Sequence, residues 1–332
     1  MSLPSALRTE AERTLAVVRH RLNGNAFQFL CETHLDLPPQ PPPGCRTLVL
    51  FAHFDPHGIV DPYVTHYLRA LHELGACIVF VSASPVLTPE SVAPIRSLCA
   101  GIYTRRTLSF DFGSWHLAWC ILRRKGWSLD QFDRLVVAND SVFGPLFPLE
   151  EMWNSFHDAD MYGPVENTQM APHLQSFFLA WDLNSRTRSF LDDFWNDFRY
   201  VVHKGTLVWR YEVGWSRRAR TAGLRIKPFV SAETIKTTYE RSSALPWAER
   251  SARNNSTLYL WDCLIEDFRF PFLKTNLARY DMPWHTSMTR LREVIEQNTP
   301  YPFQLIQSNV DRLGRRPPPL VSGYARPMAR WT

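Results

Sequence analysis

Residues 135–145, LVVANDSVFGP, run from an apolar, β-prone stretch straight into Asn139-Asp140-Ser141. A carboxylate between two hydrogen-bonding side chains at the end of a core strand serves a turn or a ligand, since an unpaired polar group there costs about 1–3 kcal/mol. Three other apolar runs end the same way. RTLVLFA (46–52) leads into His53-Phe54-Asp55-Pro56-His57-Gly58, ACIVFVSA (76–83) ends at Ser82 and Ser84, and GIYT (101–104) leads into Arg105 and Arg106. Asp111-Phe112-Gly113-Ser114-Trp115 reads as a helix N-cap tightened by a glycine, whose free N–H groups could receive a diphosphate or a nucleobase edge. Its DFG letters are not a kinase signal, because no HRD-type loop or β3 lysine accompanies them.

The elements that must position these groups alternate. After the first run, Asp61-Pro62 supplies an N-cap and a first-turn proline, and Val64, Tyr67, Leu68, Leu71 and Leu74 recur at helical spacing until Gly75. Thr88-Pro89-Glu90 opens a second helix, and a third runs from about Gly113 to Lys125. The β-α-β-α-β-α-β pattern predicts an α/β fold, a mostly parallel sheet with helices on both faces. Such sheets bind ligands at the carboxyl ends of their strands, so the four polar strand ends share one edge. Beyond residue 150, HLQSFFLAWD (173–182) reads as a strand, 186–201 as an amphipathic helix, and EVGWSRRARTAGLRI (212–226) as helix, glycine stop and strand. Residues 5–22 read as a basic helix and HLDLPPQPPPG (34–44) as an extended spacer. The expected units are therefore 1–44, a central 45–235 carrying the strand-end groups, and a helical 236–332 with a loose proline-rich tail.

Composition narrows the classes. The chain has 332 residues, 45% of them hydrophobic and 13% aromatic, enough for a sizeable core and against disorder. A net charge of +5 is spread along the chain without a nucleic-acid arm; it suits the phosphates of a small ligand or an anionic membrane surface. Cys31, Cys45, Cys77, Cys99, Cys120 and Cys263 form no CxxC pair, which fits a reducing cytoplasm and no disulfide framework. No apolar leader and no run near ~20 apolar residues is visible, so a soluble or peripheral protein is expected.

The strings FAHFDPHGIVDPYVTHYLRALHELG, VFVSAS, SFDFGSW, VVANDSVFGPLFPLEEM, HLQSFFLAW, YEVGWSRRARTAGL and NNSTLYLWDCLIEDFRFPFLKTNLAR, in order over residues 46 to about 310, resemble the rhamnan synthesis F proteins. These are glycosyltransferases of bacterial cell-wall, O-antigen and capsule polysaccharides. The resemblance implies a GT-A-like, Rossmann-type sheet with helical N- and C-terminal extensions. It also implies a nucleoside diphosphate-sugar donor of the dTDP- or GDP-rhamnose type, and transfer of a deoxyhexose to a glycan acceptor with inversion. The acceptor would be lipid-linked, the protein cytoplasmic and peripheral at the inner membrane face, and the N-terminal basic helix an anchor.

In that family an Asp-rich turn after the fourth strand meets the donor pyrophosphate, usually through a divalent metal. Here the turn has one carboxylate, whereas Mg²⁺ or Mn²⁺ prefers one or two plus phosphate oxygens. Either Asp140 holds such an ion with water and donor oxygens, or it bonds the donor directly while arginines and helix N-termini neutralise the diphosphate. Glu212 falls in the acidic slot of the helix that supplies the base in inverting enzymes, with Val213 replacing the second acid; Asp55 and Glu166 are the reserve candidates. The resemblance and the strand-end layout together imply donor contacts from His53, Asp55, Ser82, Arg105, Arg106, Asp111, Gly113, Ser114, Asn139, Ser141 and Lys274. They imply acceptor contacts from His173, Gln175 and Trp215. Two other readings stand beside this one. AHFDPHG, with His53, Asp55 and His57 alternating, is similar to the start of zinc-dependent sugar deacetylases, though His173 and His285 lack the context of a further ligand motif. A non-catalytic sugar-binding or assembly protein is the third.

Overall fold

Four apolar runs are buried on both faces because alternate residues serve two different cores. In β2 (Thr47–His53) Val49 and Phe51 join one cluster, while Leu48, Leu50 and Ala52 join the other. In β3 (Ala76–Ser82) Ile78 and Phe80 oppose Cys77, Val79 and Val81, and β5 (Arg134–Asn139) divides Val136 and Ala138 from Leu135 and Val137. A period of two with apolar residues on both sides requires helices over both faces. The computed structural model describes residues 31–106, 109–241, 255–281 and 287–316. The basic helix expected at 5–22 and the tail beyond 316 lie outside the described residues.

The sheet order is β1 (Cys31–Leu35), β4 (Gly101–Arg105), β3, β2, β5, β9 (Phe178–Asp182), β7 (Met161–Asn167) and β10 (Ile226–Val230). β4, β3, β2 and β5 run parallel, as expected. β1 pairs antiparallel with β4, so residues 31–35 form an edge strand and the extended spacer begins only after it. The stretch expected as one strand at 173–182 is two. His173–Leu174 (β8) pairs back on β7, and β9 inserts antiparallel between β5 and β7. β7 and β10 thereby point the same way as β5.

Helix α1 (Pro62–Glu73) buries Tyr63, Val64, Tyr67, Leu68 and Leu71 on one face of the sheet. Helix α2 (Phe110–Arg124) buries Phe112, Trp115 and Trp119 on the other, and the Trp115 indole N–H donates to the Ala138 carbonyl at 3.0 Å. Helix α3 (Ser185–Asn196) and helix α4 (Gly214–Thr221) share that face. Helix α5 (Thr275–Arg279) and helix α6 (Gln304–Leu313) pack on the α1 side, with Leu277 and Ile306 buried there. The C-terminal region is thus built into the main core. The chain leaves β2 toward β3 and β4 and returns on the other side as β5, which makes the crevice between β2 and β5 the switch point of the sheet. Among the described residues no helix is long and apolar enough to cross a membrane.

Candidate active site at the carboxyl ends of β2 and β5

The polar strand ends meet at that switch point. The Phe54 backbone N–H, just past β2, donates to Asp140 Oδ2 at 3.1 Å just past β5. The Asn139 amide donates to Asp111 Oδ2 at 2.7 Å, while its Oδ1 accepts the Ser141 hydroxyl at 2.6 Å and the Ser141 N–H at 3.0 Å. The loops after β2 and β5 and the first turn of the helix after β4 are therefore joined by hydrogen bonds. His53 Nδ1 lies 2.9 Å from Ser82 Oγ, which donates to Ser84 Oγ at 2.8 Å, and Ser84 Oγ accepts the Asp55 N–H at 2.9 Å. Gly58 lets the loops after β2 and β3 touch. Its φ is +73°, and a Cβ there would stand 1.9 Å from the Val86 carbonyl oxygen.

A second polar face lies within electrostatic reach of this one. Glu212 sits in a π-helical turn, Val208–Val213, that leads into α4. Its Oε2 accepts the Ser176 N–H at 3.2 Å and also the Ser176 hydroxyl, and its Oε1 lies 3.6 Å from His173 Nε2. Lys274, on β11 (Leu273–Lys274), is set beside the Asp140 turn because β11 pairs with Val142–Phe143 (β6). Its ammonium lies 4.1 Å from the Phe177 ring centroid and feels both Glu212 and Asp111.

Electrostatics separates the two carboxylates. Burial pushes Asp140 up to about 7, with Asp111 adding to the effect and the Phe54 N–H and Arg279 opposing it. Burial would also raise Glu212, but His173, Ser176 and Lys274 outweigh it and hold the carboxyl at about 2. Burial lowers Lys274 to about 8, with Lys204 contributing. Asp111 is raised by burial against the pull of Lys204, Arg105 and Lys274. His53 is lowered to about 4 by burial and is neutral at neutral pH.

Several expected contacts are spent inside the protein. Asp55 accepts the His57 and Ile59 N–H groups at 2.8 and 3.1 Å and is salt-bridged to Arg312, so it anchors its own loop. Asp61 does not cap α1 with its side chain; it shares Arg312 with Asp55 and accepts from Asn309. Ser82 is fully buried, so with His53 it forms the floor beneath the site. Arg105 is buried under the start of α2, where it donates to Ser114 Oγ at 2.7 Å and to the Phe110 carbonyl. It and Ser114 brace the helix, and Arg106 alone of the pair is exposed. The helix begins at Phe110, three residues earlier than expected, and the Gly113 N–H is already bonded to Ser109. Gln175 uses both ends of its amide, on Asn255 and Thr257. Trp215 is fully buried and stacks on Phe194 at 4.4 Å, where no sugar can reach it. Glu166, the reserve base, bonds Arg220 and the Ala232 N–H. His173 is buried, with Nε2 turned to Glu212 and not to open space.

Arg279 and Tyr63, which no local motif marks, join the Asp140 turn. The Arg279 guanidinium donates to Tyr63 Oη at 3.0 Å and to Asn309 Oδ1 at 2.8 Å, and Tyr63 donates to the Asp140 carbonyl at 2.9 Å. Burial opposes its charge, but Tyr63, Asp140 and Asp61 more than offset that and raise its pKa. Arg279 lies inside the quoted string ending NLAR, but nothing local distinguishes it from a surface arginine. Nor does anything local mark Lys204.

His53, Asp55 and His57 do not converge. The first binds Ser82, while Asp55 and the exposed His57 both meet the Arg312 guanidinium, a cation that leaves no room for a metal ion between them. Among the described residues no three His, Cys, Asp or Glu side chains are grouped to hold a metal ion. Asp140 alone, with one oxygen already accepting from Phe54, does not make a cation site from protein groups.

Residues 78–322 match the family described as rhamnan synthesis protein F. No curated protein matches the chain significantly. Among solved structures, one described as a nucleotide-diphospho-sugar transferase from Desulfovibrio desulfuricans G20 aligns over 68% of this chain and 98% of its own, at 13% identity and TM-score 0.36. The mannosyltransferase PcManGT from Pyrobaculum calidifontis, solved with GDP-Man and Mn²⁺, aligns over 74% and 80% at 13% identity and TM-score 0.36. The galactosyltransferase LgtC, solved with donor and acceptor sugar analogues, aligns over 78% and 98% at 11% identity and TM-score 0.33.

Proposed function

The chain belongs to the rhamnan synthesis protein F family, and from that premise we propose a glycosyltransferase that moves a deoxyhexose, rhamnose foremost, from a dTDP- or GDP-linked donor to a growing cell-surface glycan. The family placement supports glycosyltransferase activity on a nucleotide sugar; the sugar, the lipid-linked acceptor and docking at the inner membrane face are our reading. We assign donor binding and chemistry to 45–235, with 236–332 completing the site through Lys274, Arg279 and Arg312.

The observation that carries the reading is that two polar faces lie within electrostatic reach of each other, linked through Lys274. On one, Asp140, Asn139 and Asp111 are cross-linked at the switch point, where sheets of this type hold their ligands. On the other, Glu212 is held ionised beside the partly buried Lys274. The donor's sugar and diphosphate would lie between them, its charge met by Lys274 and Lys204. Glu212 would receive the acceptor hydroxyl's proton as that oxygen bonds the anomeric carbon and the diphosphate leaves from the opposite side. A carboxylate with a pKa near 2 is a weak base, so it suits a hydroxyl that becomes acidic only as the new bond forms. One observation favours a second assignment: Asp140, at about 7, has the pKa closer to the working pH that general bases require.

Calorimetry and thermal shift across dTDP, UDP and GDP sugars, with and without Mn²⁺, test the reading. One donor class should bind, and Asp140→Ala should weaken it at least about tenfold, as loss of a charge-assisted contact does. Failure of every nucleotide sugar to bind would remove the proposal.

A further inference from the structure

The large apolar side chains left exposed among the described residues are Phe54, Ile59, Val86, Phe110, Met170 and Trp209, at 36–59% exposure. The topology places all six on one edge. Phe54 and Ile59 follow β2, Val86 follows β3, and Phe110 follows β4. Met170 follows β7, which is antiparallel to β9 and so runs with β5. Trp209 stands three residues before Glu212, which is bonded to Ser176 at that same edge. Single exposed apolar residues scattered over a surface are ordinary, but a set confined to the rim of one site marks an interaction surface.

Cations accompany the rim. Residues 199–220 carry six lysines or arginines and one carboxylate, Glu212. Arg106, Lys204, Arg210 and Arg217 are exposed, and the Arg217 guanidinium lies 5.7 Å from the Trp209 ring centroid. Ile59, Val86 and Met170 offer no flat face on which a sugar ring could stack. Aliphatic side chains, an indole and guanidinium groups together match the boundary of a bilayer, where apolar groups enter the acyl region and cations meet anionic headgroups. We propose that the carboxyl-end rim docks on an anionic lipid surface, with the mouth of the site facing the bilayer. The inference rests on the glycosyltransferase reading to the extent that it would place the donor at the depth of a lipid-linked acceptor.

The test is flotation of the full chain with vesicles of phosphatidylcholine, with and without phosphatidylglycerol, beside calorimetry with the nucleotide sugar in solution. The wild type should float with anionic vesicles and lose binding as salt rises. Val86→Ser with Met170→Ser, and separately Arg210→Glu with Arg217→Glu, should each weaken flotation at least about tenfold, with nucleotide-sugar affinity unchanged. Equal flotation of wild type and both variants would overturn the inference, as would flotation lost only on deleting residues 1–30. A dimer in sedimentation that both variants dissolve, without vesicle binding, would assign the rim to a second copy instead. Rim-dependent flotation without any nucleotide-sugar binding would sink the proposed function and leave the docking surface standing.

Discussion

His173 and Glu212 are paired on the far wall of the site, imidazole Nε2 to carboxylate Oε1 at 3.6 Å, while the other ring nitrogen donates to the Ala171 carbonyl at 2.7 Å. A carbonyl can only accept, so Nδ1 is the nitrogen that donates there, and Nε2 is left facing Glu212. The pair shows how an isolated carboxylate in a buried wall is kept charged. Loss of His173 would leave the Glu212 carboxylate with only Ser176 and Lys274 to offset its burial.

Glu212→Gln should keep the nucleotide-sugar dissociation constant within about threefold while lowering kcat by about 10²–10⁴-fold, the range for a positioned proton acceptor. Steady-state kinetics with calorimetry reads both. Unchanged turnover would pass the role to Asp140.

His173→Asn should move the acidic limb of kcat/KM upward, because the principal group that lowers the Glu212 carboxyl is gone. A histidine that merely filled space would leave the pH profile where it was.

Asp140→Asn should change how stability depends on pH. The folded protein holds the Asp140 carboxyl near 7, above its ordinary value of 3.8, so between those values the folded state binds more protons than the unfolded one. Wild-type stability therefore drops with rising pH across that window, and the neutral variant escapes the drop. Thermal melts from pH 4 to 7.5 should show the variant gaining on wild type by roughly 2–4 °C or more. Parallel curves would show that the carboxyl titrates alike in both states.

Arg312→Met should destabilise the fold by about 3–5 kcal/mol in urea, since it leaves Asp55 and Asp61 buried without their shared cation. Adding Asp55→Asn should recover part of the loss. Arg312 and two backbone N–H groups hold the Asp55 carboxyl below its ordinary value against burial. Its stabilisation is therefore present above that value and fades as the pH falls through the depressed one. The Arg312→Met curve should flatten on that acid side.

Periodic signals are local, and where they are present the fold follows them. The four parallel strands and α1 follow from alternation and from Pro62 and Gly75, which act within a few residues. The break at Gln175-Ser176-Phe177 was missed because β8 and β9 together look like one apolar run, and only pairing on β7 and β5 separates them. The early start of α2 was missed because Ser109 and Phe110 take left-handed φ values of 75° and 46°, which no residue preference announces.

The chain's own letters determine that polar groups gather on one edge of a parallel sheet, because side-chain period and turn chemistry are local properties. Which of those groups remain open to a ligand is a tertiary decision. Asp55 is claimed by an arginine 257 positions away and Gln175 by a threonine 82 positions away, while Trp215 disappears beneath Phe194. A polar side chain's partner is set by packing across the core, and no window of sequence contains it.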